Sequence, residues 1–331
     1  MTELPKVSII IPCRNERKFI SVCLDSIIAS DYPKENLEIL VIDGESKDKT
    51  QDIVREYISK HSFIKLLENP KHIASSALNI GIKKSKGDIV IRMDAHATYS
   101  KDYISKCVNY LLKYNADNVG GVISVIPREN NLIGRGIARS LSSSFGTGGA
   151  KYKTGLKDFE EVDTVPFGCF KREAFEKVGL FNENLARSQD MDFNIRLKKA
   201  GGKIYLFSDI ISYYYVRSNL KDFFVHNFKD GIWATYPLKF IKTPFKLRHY
   251  IPLALVSGLV GSLLLGIFIK PFFYIFFITT IIYLFAMIYS SAKISFREKN
   301  VGFLISLPIA FITRHFSYGF GSIVGIIKLL I

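Results

Sequence analysis

Two uncharged, apolar stretches near the carboxyl end of this 331-residue chain restrict its possible folds more than any other feature. They span residues 251–269 and 272–292, with only Lys270 and Pro271 between them. About 20 apolar residues, at 1.5 Å rise each, suffice to cross the hydrocarbon core of a bilayer. A pair of buried core helices is the alternative, but the helices of soluble proteins rarely lack charge on every face. The sequence therefore predicts two transmembrane helices joined by a tight turn.

Basic residues flank this predicted hairpin on both sides, whereas its turn carries Lys270 alone. The flanking residues are Lys239, Lys242, Lys246 and Arg248 before the first span, and Lys293, Arg297 and Lys299 after the second. Segments rich in Lys and Arg stay on the cytoplasmic side of a membrane. The sequence thus predicts a multi-pass protein of the cell (inner) membrane with both flanks in the cytoplasm.

Two further segments of the membrane region, residues 251–331, and its approach allow more than one interpretation. Residues 301–331 are apolar, but Arg314 and His315 interrupt them. A third span would hold a costly charge near its middle, and a re-entrant or interfacial hairpin is the alternative. Residues 217–250 mix aromatic and basic side chains, which favours an amphipathic segment on the membrane surface. An amphipathic helix packed on the domain is the other interpretation.

The chain is strongly basic, with 45 Lys and Arg against 30 Asp and Glu and a formal net charge of +15. Such a charge permits anionic lipids, phosphate-bearing substrates or nucleic acid as partners. No basic stripe outside the membrane-proximal segment alternates with stacking aromatic residues, as binding of single-stranded nucleic acid requires. Membrane lipids are therefore an expected partner and nucleic acid is not.

Residues 1–216 are predicted to form a cytoplasmic α/β domain. Apolar runs of strand length alternate with helical patterns, which favours a parallel sheet covered on both faces. The predicted strands are 7–11, 38–42, 63–67, 88–93 and 119–125, and the helices are 19–28, 50–59, 73–84 and 103–114. Residues 1–6 lead directly into the first predicted strand, so we expect no cleavable signal peptide. The four cysteines form no CxxC pair, which favours reduced thiols.

Polar residues follow three of these strands at their carboxyl ends, where open α/β sheets bind ligands. Pro12 and Glu16 follow the first strand, Asp43 ends the second, and Asp94 and His96 follow the fourth. No P-loop or dinucleotide-binding glycine pattern is present. We expect these largely acidic clusters to meet at one edge of the sheet.

The residue types in these clusters suit the handling of a diphosphate. Asp94 and His96, two positions apart in an extended loop, could both reach one Mn²⁺ or Mg²⁺ ion that shares phosphate oxygens. Asp43 could accept hydrogen bonds from a base or ribose, or it could simply close a turn. Asp190 is predicted in the first turn of a helix capped by Ser188. There it could act as a general base, or it could be an ordinary acidic residue at a helix start.

Taken in order, several stretches resemble the family 2 glycosyltransferases, which are inverting enzymes with a GT-A fold. The stretches are VSIIIPCRNE (7–16), EILVIDGESKDKT (38–50), ALNIGIKKSKGDIVIRMDAH (77–96), VPFGCFKREAFEKVGLFNENL (165–185) and SQDMDFNIRLKKAGG (188–202). The resemblance covers about residues 5–235 and is strongest to bacterial exopolysaccharide transferases of the succinoglycan type. It implies a Rossmann-like, mostly parallel sheet that binds a nucleotide-diphospho-sugar.

The resemblance also implies roles for individual residues. Asp43 would contact the nucleobase or ribose, Pro12 and Glu16 would lie in the first nucleotide-contacting loop, and Asp190 would be the catalytic base. Asp94 and His96 stand where the family has its metal-binding DxD, with His96 in place of the second Asp, and Gln189 replaces the usual Glu before the base.

The function implied by the resemblance is transfer of a sugar from a nucleotide sugar to a polyprenyl-linked saccharide during cell-surface polysaccharide synthesis. A UDP-sugar is the expected donor, and Mn²⁺ or Mg²⁺ is the expected cofactor. The alternatives are transfer to polyprenyl phosphate itself and a non-catalytic membrane subunit that binds nucleotide sugars.

Overall fold

The computed structural model describes residues 4–241, 243 and 245–331. The predictions that involve residues 1–3 and Lys242 therefore lie outside the described residues. The chain divides into two compact units. The first comprises Met1–Ser124 and Gly155–Tyr214, and the second comprises Val125–Thr154 and Tyr215–Ile331.

The strands of the described residues belong to one nine-stranded sheet. They are β1 (Val7–Cys13), β2 (Leu37–Asp43), β3 (Ile64–Glu68), β4 (Ile89–Arg92), β5 (Ala97–Tyr99), β6 (Asn118–Pro127), β7 (Phe159–Glu161), β8 (Cys169–Lys171) and β9 (Ile204–Val216). The order across the sheet is β3-β2-β1-β4-β8-β6-β9-β5, and β7 pairs with β9.

Helices connect these strands and make up most of the second unit. The first unit contains α1 (Ile20–Ile28), α2 (Thr50–Lys60), α3 (Ala74–Lys84), α4 (Tyr103–Lys113), α8 (Glu173–Val178) and α9 (Gln189–Lys199). The second contains α5 (Leu132–Leu141), α6 (Ser144–Thr147), α7 (Lys151–Thr154), α10 (Leu220–Thr235), α11 (Ile251–Gly266), α12 (Pro271–Arg297) and α13 (Phe303–Leu330). Short 3-10 helices occur at Lys34–Asn36, Tyr236–Lys239 and Leu247–His249.

The parallel half of the sheet is as the apolar runs predict. Strands β3, β2, β1 and β4 pair in parallel, and β1 is buried along almost its whole length. Burial on both faces explains why β1, β2 and β4 are largely apolar rather than alternating, whereas β3 lies at the edge of the sheet and exposes Lys65 and Glu68. The register pairs Cys13 with Asp43 and Ile10 with Arg92. The carboxyl ends of β1, β2 and β4 therefore meet at one edge, as expected.

The other half of the sheet corrects the prediction of a mostly parallel arrangement. Strand β8 lies between β4 and β6 and is antiparallel to both. Strand β6, predicted as residues 119–125, therefore runs in the same direction as β4 but does not pair with it. Three-residue strands such as β5 and β8 are too short to give a period-2 pattern. The domain is thus a mixed α/β sheet.

In the second unit, α10 packs closely against α13 through small residues. A Cβ atom at Gly321 would lie 2.0 Å from the carbonyl oxygen of Phe228, so only glycine permits this approach. The Thr235 hydroxyl donates to the carbonyl of Ser322 at 2.8 Å, and the Ser322 hydroxyl donates to the carbonyl of Gly231 at 3.2 Å. Small residues four apart are typical of helix packing in membranes.

The membrane region contains one helix, among the described residues, that is long and apolar enough to span a bilayer. It is α12, with 27 residues, and only 6% of its most apolar window is buried within the protein. A buried core helix, the alternative considered from the sequence, does not fit that exposure. Helix α11 ends at Gly266 after 16 residues, so its length does not support the prediction of two spans. Helix α13 is continuous through Arg314 and contains Pro308.

Candidate active site

The centre of the candidate site is an arginine that bridges two carboxylates. Arg92, the last residue of β4, donates from Nη2 to Asp94 Oδ1 at 3.1 Å and from Nη1 to Asp190 Oδ2 at 3.1 Å. The exposed fractions of the three side chains are 15%, 20% and 34% for Arg92, Asp94 and Asp190. The structure therefore brings the predicted metal ligand and the predicted base to one guanidinium group.

Arg92 is absent from the site residues predicted from the sequence. The available signal was a single basic residue within a buried strand, two positions before an aspartate. Burial alone would lower the pKa of Arg92, but the charges of Asp94 and then Asp190 raise this pKa above its usual value. The guanidinium therefore stays charged, and the two carboxylates and one cation leave a net charge of minus one that favours a divalent cation.

The Asp94-Ala95-His96 segment forms a tight turn rather than the expected extended loop. The Ala97 N–H donates to the carbonyl of Asp94 at 3.2 Å. The Asp94 N–H donates to the hydroxyl of buried Tyr99 at 2.8 Å. These contacts fix the backbone of the turn, and with it the position of the Asp94 Cα atom from which the carboxylate extends.

His96 is held between two polar side chains. Its Nδ1 lies 2.9 Å from Glu16 Oε1, and its Nε2 lies 3.0 Å from the Tyr214 hydroxyl. A carboxylate at Nδ1 favours the tautomer in which Nε2 is an acceptor. Glu16, predicted to contact the nucleotide, therefore orients His96 in this structure. Its backbone carbonyl also accepts from the N–H groups of Phe19 and Ile20 at the start of α1.

Asp43 is buried, with 1% of its surface exposed, and its carboxylate organises the loop that follows β2. Its Oδ1 accepts from the Ser46 N–H at 2.8 Å and from Gln51 Nε2 at 2.7 Å, and its Oδ2 accepts from the Ser46 hydroxyl at 2.5 Å. This is the turn-closing role considered as the alternative to a nucleotide contact. An ionised carboxylate has about four acceptor positions, and these bonds occupy three of them.

The loops after β1 and β2 are joined to each other. The Asn15 N–H donates to the Ser46 hydroxyl at 2.8 Å, and the Lys47 N–H donates to Asn15 Oδ1 at 2.8 Å. Pro12, in β1, pairs with Ile42 just before these loops begin. The loop after β1, which is predicted to contact the nucleotide, is therefore hydrogen-bonded to the loop after β2.

Several residues at this edge adopt left-handed backbone conformations that are uncommon outside glycine. The φ values are 56° at Asn15, 55° at Glu45, 67° at Lys49 and 62° at Ser188. Backbone strain of this kind costs on the order of 1–3 kcal/mol per residue and clusters at functional sites. Four of the eight such non-glycine residues among the described residues therefore lie in the loops after β1, after β2 and before α9.

Asp190 lies in the first turn of α9, as predicted. Ser188 occupies the N-cap position, but its side chain makes no capping hydrogen bond, in contrast to the prediction. Asp190 Oδ1 instead accepts from the N–H of Met191 at 2.9 Å. With one oxygen on this N–H and the other on Arg92, the carboxylate is oriented while a third of the side chain remains accessible.

The donors present suit a divalent cation held by few protein ligands. Among the residues that the structure describes, no group of three or more His, Cys, Asp or Glu side chains could hold a metal. Asp94 could offer a carboxylate oxygen, and His96 could offer Nε2 in place of its contact with Tyr214. Mn²⁺ and Mg²⁺ commonly combine one or two protein ligands with water and substrate phosphates. The donor set therefore fits such an ion.

Comparison with known protein families and sequences gives a consistent result. Residues 8–179 match the model of glycosyl transferase family 2. The chain is 31% identical over 327 residues to a Methanococcus voltae protein, with 97% of each chain covered. That protein is a dolichyl N-acetyl-alpha-D-glucosaminyl phosphate 3-beta-D-2,3-diacetamido-2,3-dideoxy-beta-D-glucuronosyltransferase. This chain is also 31% identical over 259 residues to the Rhizobium meliloti succinoglycan biosynthesis protein ExoA, with 77% of each chain covered.

Solved structures show the same fold. A mannosyltransferase from Pyrobaculum calidifontis, in complex with GDP-Man and Mn²⁺, has a TM-score of 0.59 and 20% identity over 95% of this chain and 88% of that one. Staphylococcus aureus TarS with UDP-GlcNAc has a TM-score of 0.51 and 18% identity, and the match covers 89% of this chain and 92% of TarS 1–349. The expected GT-A fold is confirmed.

Proposed function

This chain belongs to glycosyl transferase family 2, and from that premise we propose that it transfers a sugar, with inversion, from a nucleotide-diphosphate sugar to a lipid-linked saccharide. Its activity as a glycosyltransferase follows from the family and its relatives. The observation that carries the proposal is Arg92, which joins Asp94 and Asp190 in one site.

Asp190 is the general base in this proposal. Its carboxylate takes the proton of an acceptor hydroxyl, and the oxygen attacks the anomeric carbon of the donor sugar. The new C–O bond forms on the face opposite the diphosphate, and the bond from the anomeric carbon to the diphosphate oxygen breaks. The nucleoside diphosphate leaves with the electron pair. Because Arg92 and the Met191 N–H hold Asp190, the base meets the hydroxyl in one orientation.

Asp94 and His96 are the proposed residues that would hold Mn²⁺ or Mg²⁺. When bound, the cation neutralises charge that develops on the departing diphosphate. Asp94 reaches this position from a turn fixed by Tyr99, and Glu16 sets the tautomer of His96. Asp94 and His96 would thus be two oriented protein donors, and phosphate oxygens and water would be the other ligands of such an ion.

Asp43, Pro12 and Glu16 form the proposed nucleotide edge. Asp43 fixes the loop after β2 and retains one acceptor position for a base or ribose hydroxyl. Pro12 is the one partly buried residue of β1, and it lies close to the loop in which the Asn15 N–H donates to the Ser46 hydroxyl. The proposed donor is a UDP-sugar.

The acceptor class rests on relatives and on the second unit. The Methanococcus voltae relative, aligned over 97% of both chains, acts on a dolichyl-linked sugar phosphate. Helix α12 is long and apolar enough to attach the protein to a membrane. Lys293 and Arg297 lie in the last two turns of that helix and Lys299 follows it, which favours a cytoplasmic position for this end. A membrane-attached enzyme meets a polyprenyl-linked acceptor at the bilayer surface.

A labelling experiment tests this function. Membranes containing the protein are incubated with a panel of UDP- and GDP-sugars, Mn²⁺ or Mg²⁺, and a lipid-linked saccharide, and lipid-extractable label is measured. We expect one donor to label the lipid fraction, and we expect EDTA or Asp94→Ala to abolish the label. Label that forms equally well with EDTA would refute the metal assignment, and absence of label with every donor and acceptor would refute the function.

A further inference from the structure

Tyr214, near the carboxyl end of β9, contacts the proposed metal ligand His96 and has no role in the function proposed above. Its hydroxyl lies 3.0 Å from His96 Nε2, and the two rings lie edge to face with centroids 5.1 Å apart. The other ring nitrogen, Nδ1, lies 2.9 Å from Glu16 Oε1. Tyr214 is therefore the partner of the nitrogen that a cation would need.

Backbone pairing and ring packing both hold Tyr214 at this place. Strand β5 pairs antiparallel with β9, and the register puts Tyr214 opposite Ala97, the residue after His96. The Tyr214 ring also lies 6.4 Å from the ring of Phe167, a buried residue whose φ of 47° is in the left-handed region. Such a conformation at a bulky residue persists only where the surrounding structure enforces it. The contact between Tyr214 and His96 is thus set by the fold.

Phe167 also contacts the support of the second proposed metal ligand. Its ring lies edge to face with the ring of Tyr99, with centroids 5.6 Å apart. The Tyr99 hydroxyl accepts from the Asp94 N–H at 2.8 Å. The Tyr103 hydroxyl donates to the carbonyl of Phe167 at 3.2 Å. One set of packed aromatic residues therefore positions both Asp94 and the tyrosine that contacts His96.

A cation and the Tyr214 hydroxyl compete for one lone pair. When Nδ1 of His96 donates to Glu16, Nε2 has a single lone pair, which accepts from the Tyr214 O–H. A metal ion binds a neutral imidazole through the same lone pair. A partly buried hydroxyl that loses its acceptor needs another one. Oxygens of a diphosphate on the same cation are such acceptors, because they lie beside the other ligands of that ion.

We propose that Tyr214 couples binding of the cation to binding of the donor diphosphate. Its hydroxyl orients the His96 ring through Nε2, yields this nitrogen to the cation, and then donates to a diphosphate oxygen. Binding of the cation alone loses a hydrogen bond, whereas binding of the cation with the diphosphate restores one. The coupling rests on the proposed function, in which His96 is a ligand of the cation.

Tyr214→Phe removes the hydroxyl and keeps the ring, so two binding measurements on the full chain in detergent test the coupling. The first follows Mn²⁺ alone through the electron paramagnetic resonance signal of the free ion. We expect the variant to bind Mn²⁺ about two- to tenfold more tightly than wild type, the effect of one neutral hydrogen bond. The second measures UDP and GDP by equilibrium dialysis at saturating Mn²⁺. We expect the nucleotide that binds wild type to bind the variant about two- to tenfold more weakly.

Tyr213→Phe is the matched control. It loses the same hydroxyl one residue earlier in β9, where the side chain points to the opposite face of the sheet. It should change both affinities less than twofold. His96→Ala provides a second test, because Tyr214→Phe should no longer tighten Mn²⁺ binding once the shared nitrogen is gone.

Opposite shifts of the two affinities distinguish the coupling from a structural role of Tyr214, which would weaken both. Weaker or unchanged Mn²⁺ binding in Tyr214→Phe would overturn the coupling. Tighter Mn²⁺ binding that persists in the His96→Ala background would overturn it as well, because the competition would then not involve Nε2. Wild-type protein that binds no Mn²⁺ would overturn the coupling together with the metal assignment.

Labelling of the lipid-linked acceptor separates this coupling from the proposed function. Opposite shifts of the two affinities, in a protein that labels no lipid acceptor, would refute the function and keep the coupling. Parallel or absent shifts, in a protein whose wild type labels the acceptor, would refute the coupling and keep the function.

Discussion

Replacing Arg92 with Gln tests whether the bridge between Asp94 and Asp190 organises catalysis. The substitution removes the shared cation and leaves two partly buried carboxylates without their main partner. A Gln side chain could still donate to one of them but could not reach both. We therefore expect loss of turnover with a smaller loss of donor binding.

The magnitude follows from the contacts. Arg92 donates to Asp190 at 3.1 Å and to Asp94 at 3.1 and 3.3 Å. A hydrogen bond to a charged group contributes about 1.5–3 kcal/mol, and the 34% exposure of Asp190 places its contact toward the lower end. Loss of about 1.5–2.7 kcal/mol of orientation in the transition state corresponds to a roughly 10- to 100-fold fall in kcat.

The assay measures kcat and KM for donor and acceptor separately, with nucleotide binding followed directly. Arg92→Lys should also lose at least about tenfold, because a single ammonium group cannot reproduce the two-sided guanidinium contact. Arg172→Lys is the matched control. Arg172 lies in the same unit and donates to the Gly87 carbonyl and the Ser85 hydroxyl instead.

Two results would refute the reasoning. A folded Arg92→Gln protein that keeps kcat within twofold of wild type would show that the bridge has no catalytic role. A fall in kcat for Arg172→Lys equal to that for Arg92→Lys would show that loss of any partly buried arginine in this unit has the same effect. A thermal unfolding curve for each variant separates loss of folding from loss of function.

Two further outcomes follow from the same structure. Asp190→Asn should lower transfer by about 10²–10⁴-fold while nucleotide binding stays within about twofold, because only the base is lost; full rate in a rapid-quench assay would refute the assignment. Gly321→Ala should destabilise the helical unit by about 1–3 kcal/mol, because the alanine Cβ would lie 2.0 Å from a carbonyl oxygen. Gly258→Ala, whose Cβ would have no atom within 4 Å, should not. Thermal unfolding in detergent distinguishes the two variants.

The parallel half of the sheet could be predicted from the sequence because its signals are local. Strands β1, β2 and β4 are largely apolar runs, and the predicted bounds of β1 to β4 lie within two residues of the observed ones. The four free, buried cysteines also agree with the expected reduced thiols. The insertion of β8 between β4 and β6 depends on pairing between distant segments, and three residues carry no periodic signal for it.

The site residues were predictable by type, but their connections were not. Asp94 follows β4 and Asp190 lies in the first turn of α9, as predicted, yet no sequence pattern shows that one arginine holds both. Likewise, side chains two residues apart in an extended loop would point in the same direction. In the observed turn, His96 instead contacts Glu16 and Tyr214. Side-chain direction in a turn is set by backbone dihedrals that composition does not reveal.

Diffraction from crystals with a bound nucleotide-sugar and Mn²⁺ tests most directly whether these acidic residues form one catalytic centre. Anomalous scattering should place the metal about 2.0–2.6 Å from a carboxylate oxygen of Asp94 and beside the diphosphate. Asp190 should face the side of the anomeric carbon opposite the diphosphate, with room for one acceptor hydroxyl between them. A metal bound away from Asp94, or an Asp190 carboxylate turned away from the sugar, would contradict the proposed centre.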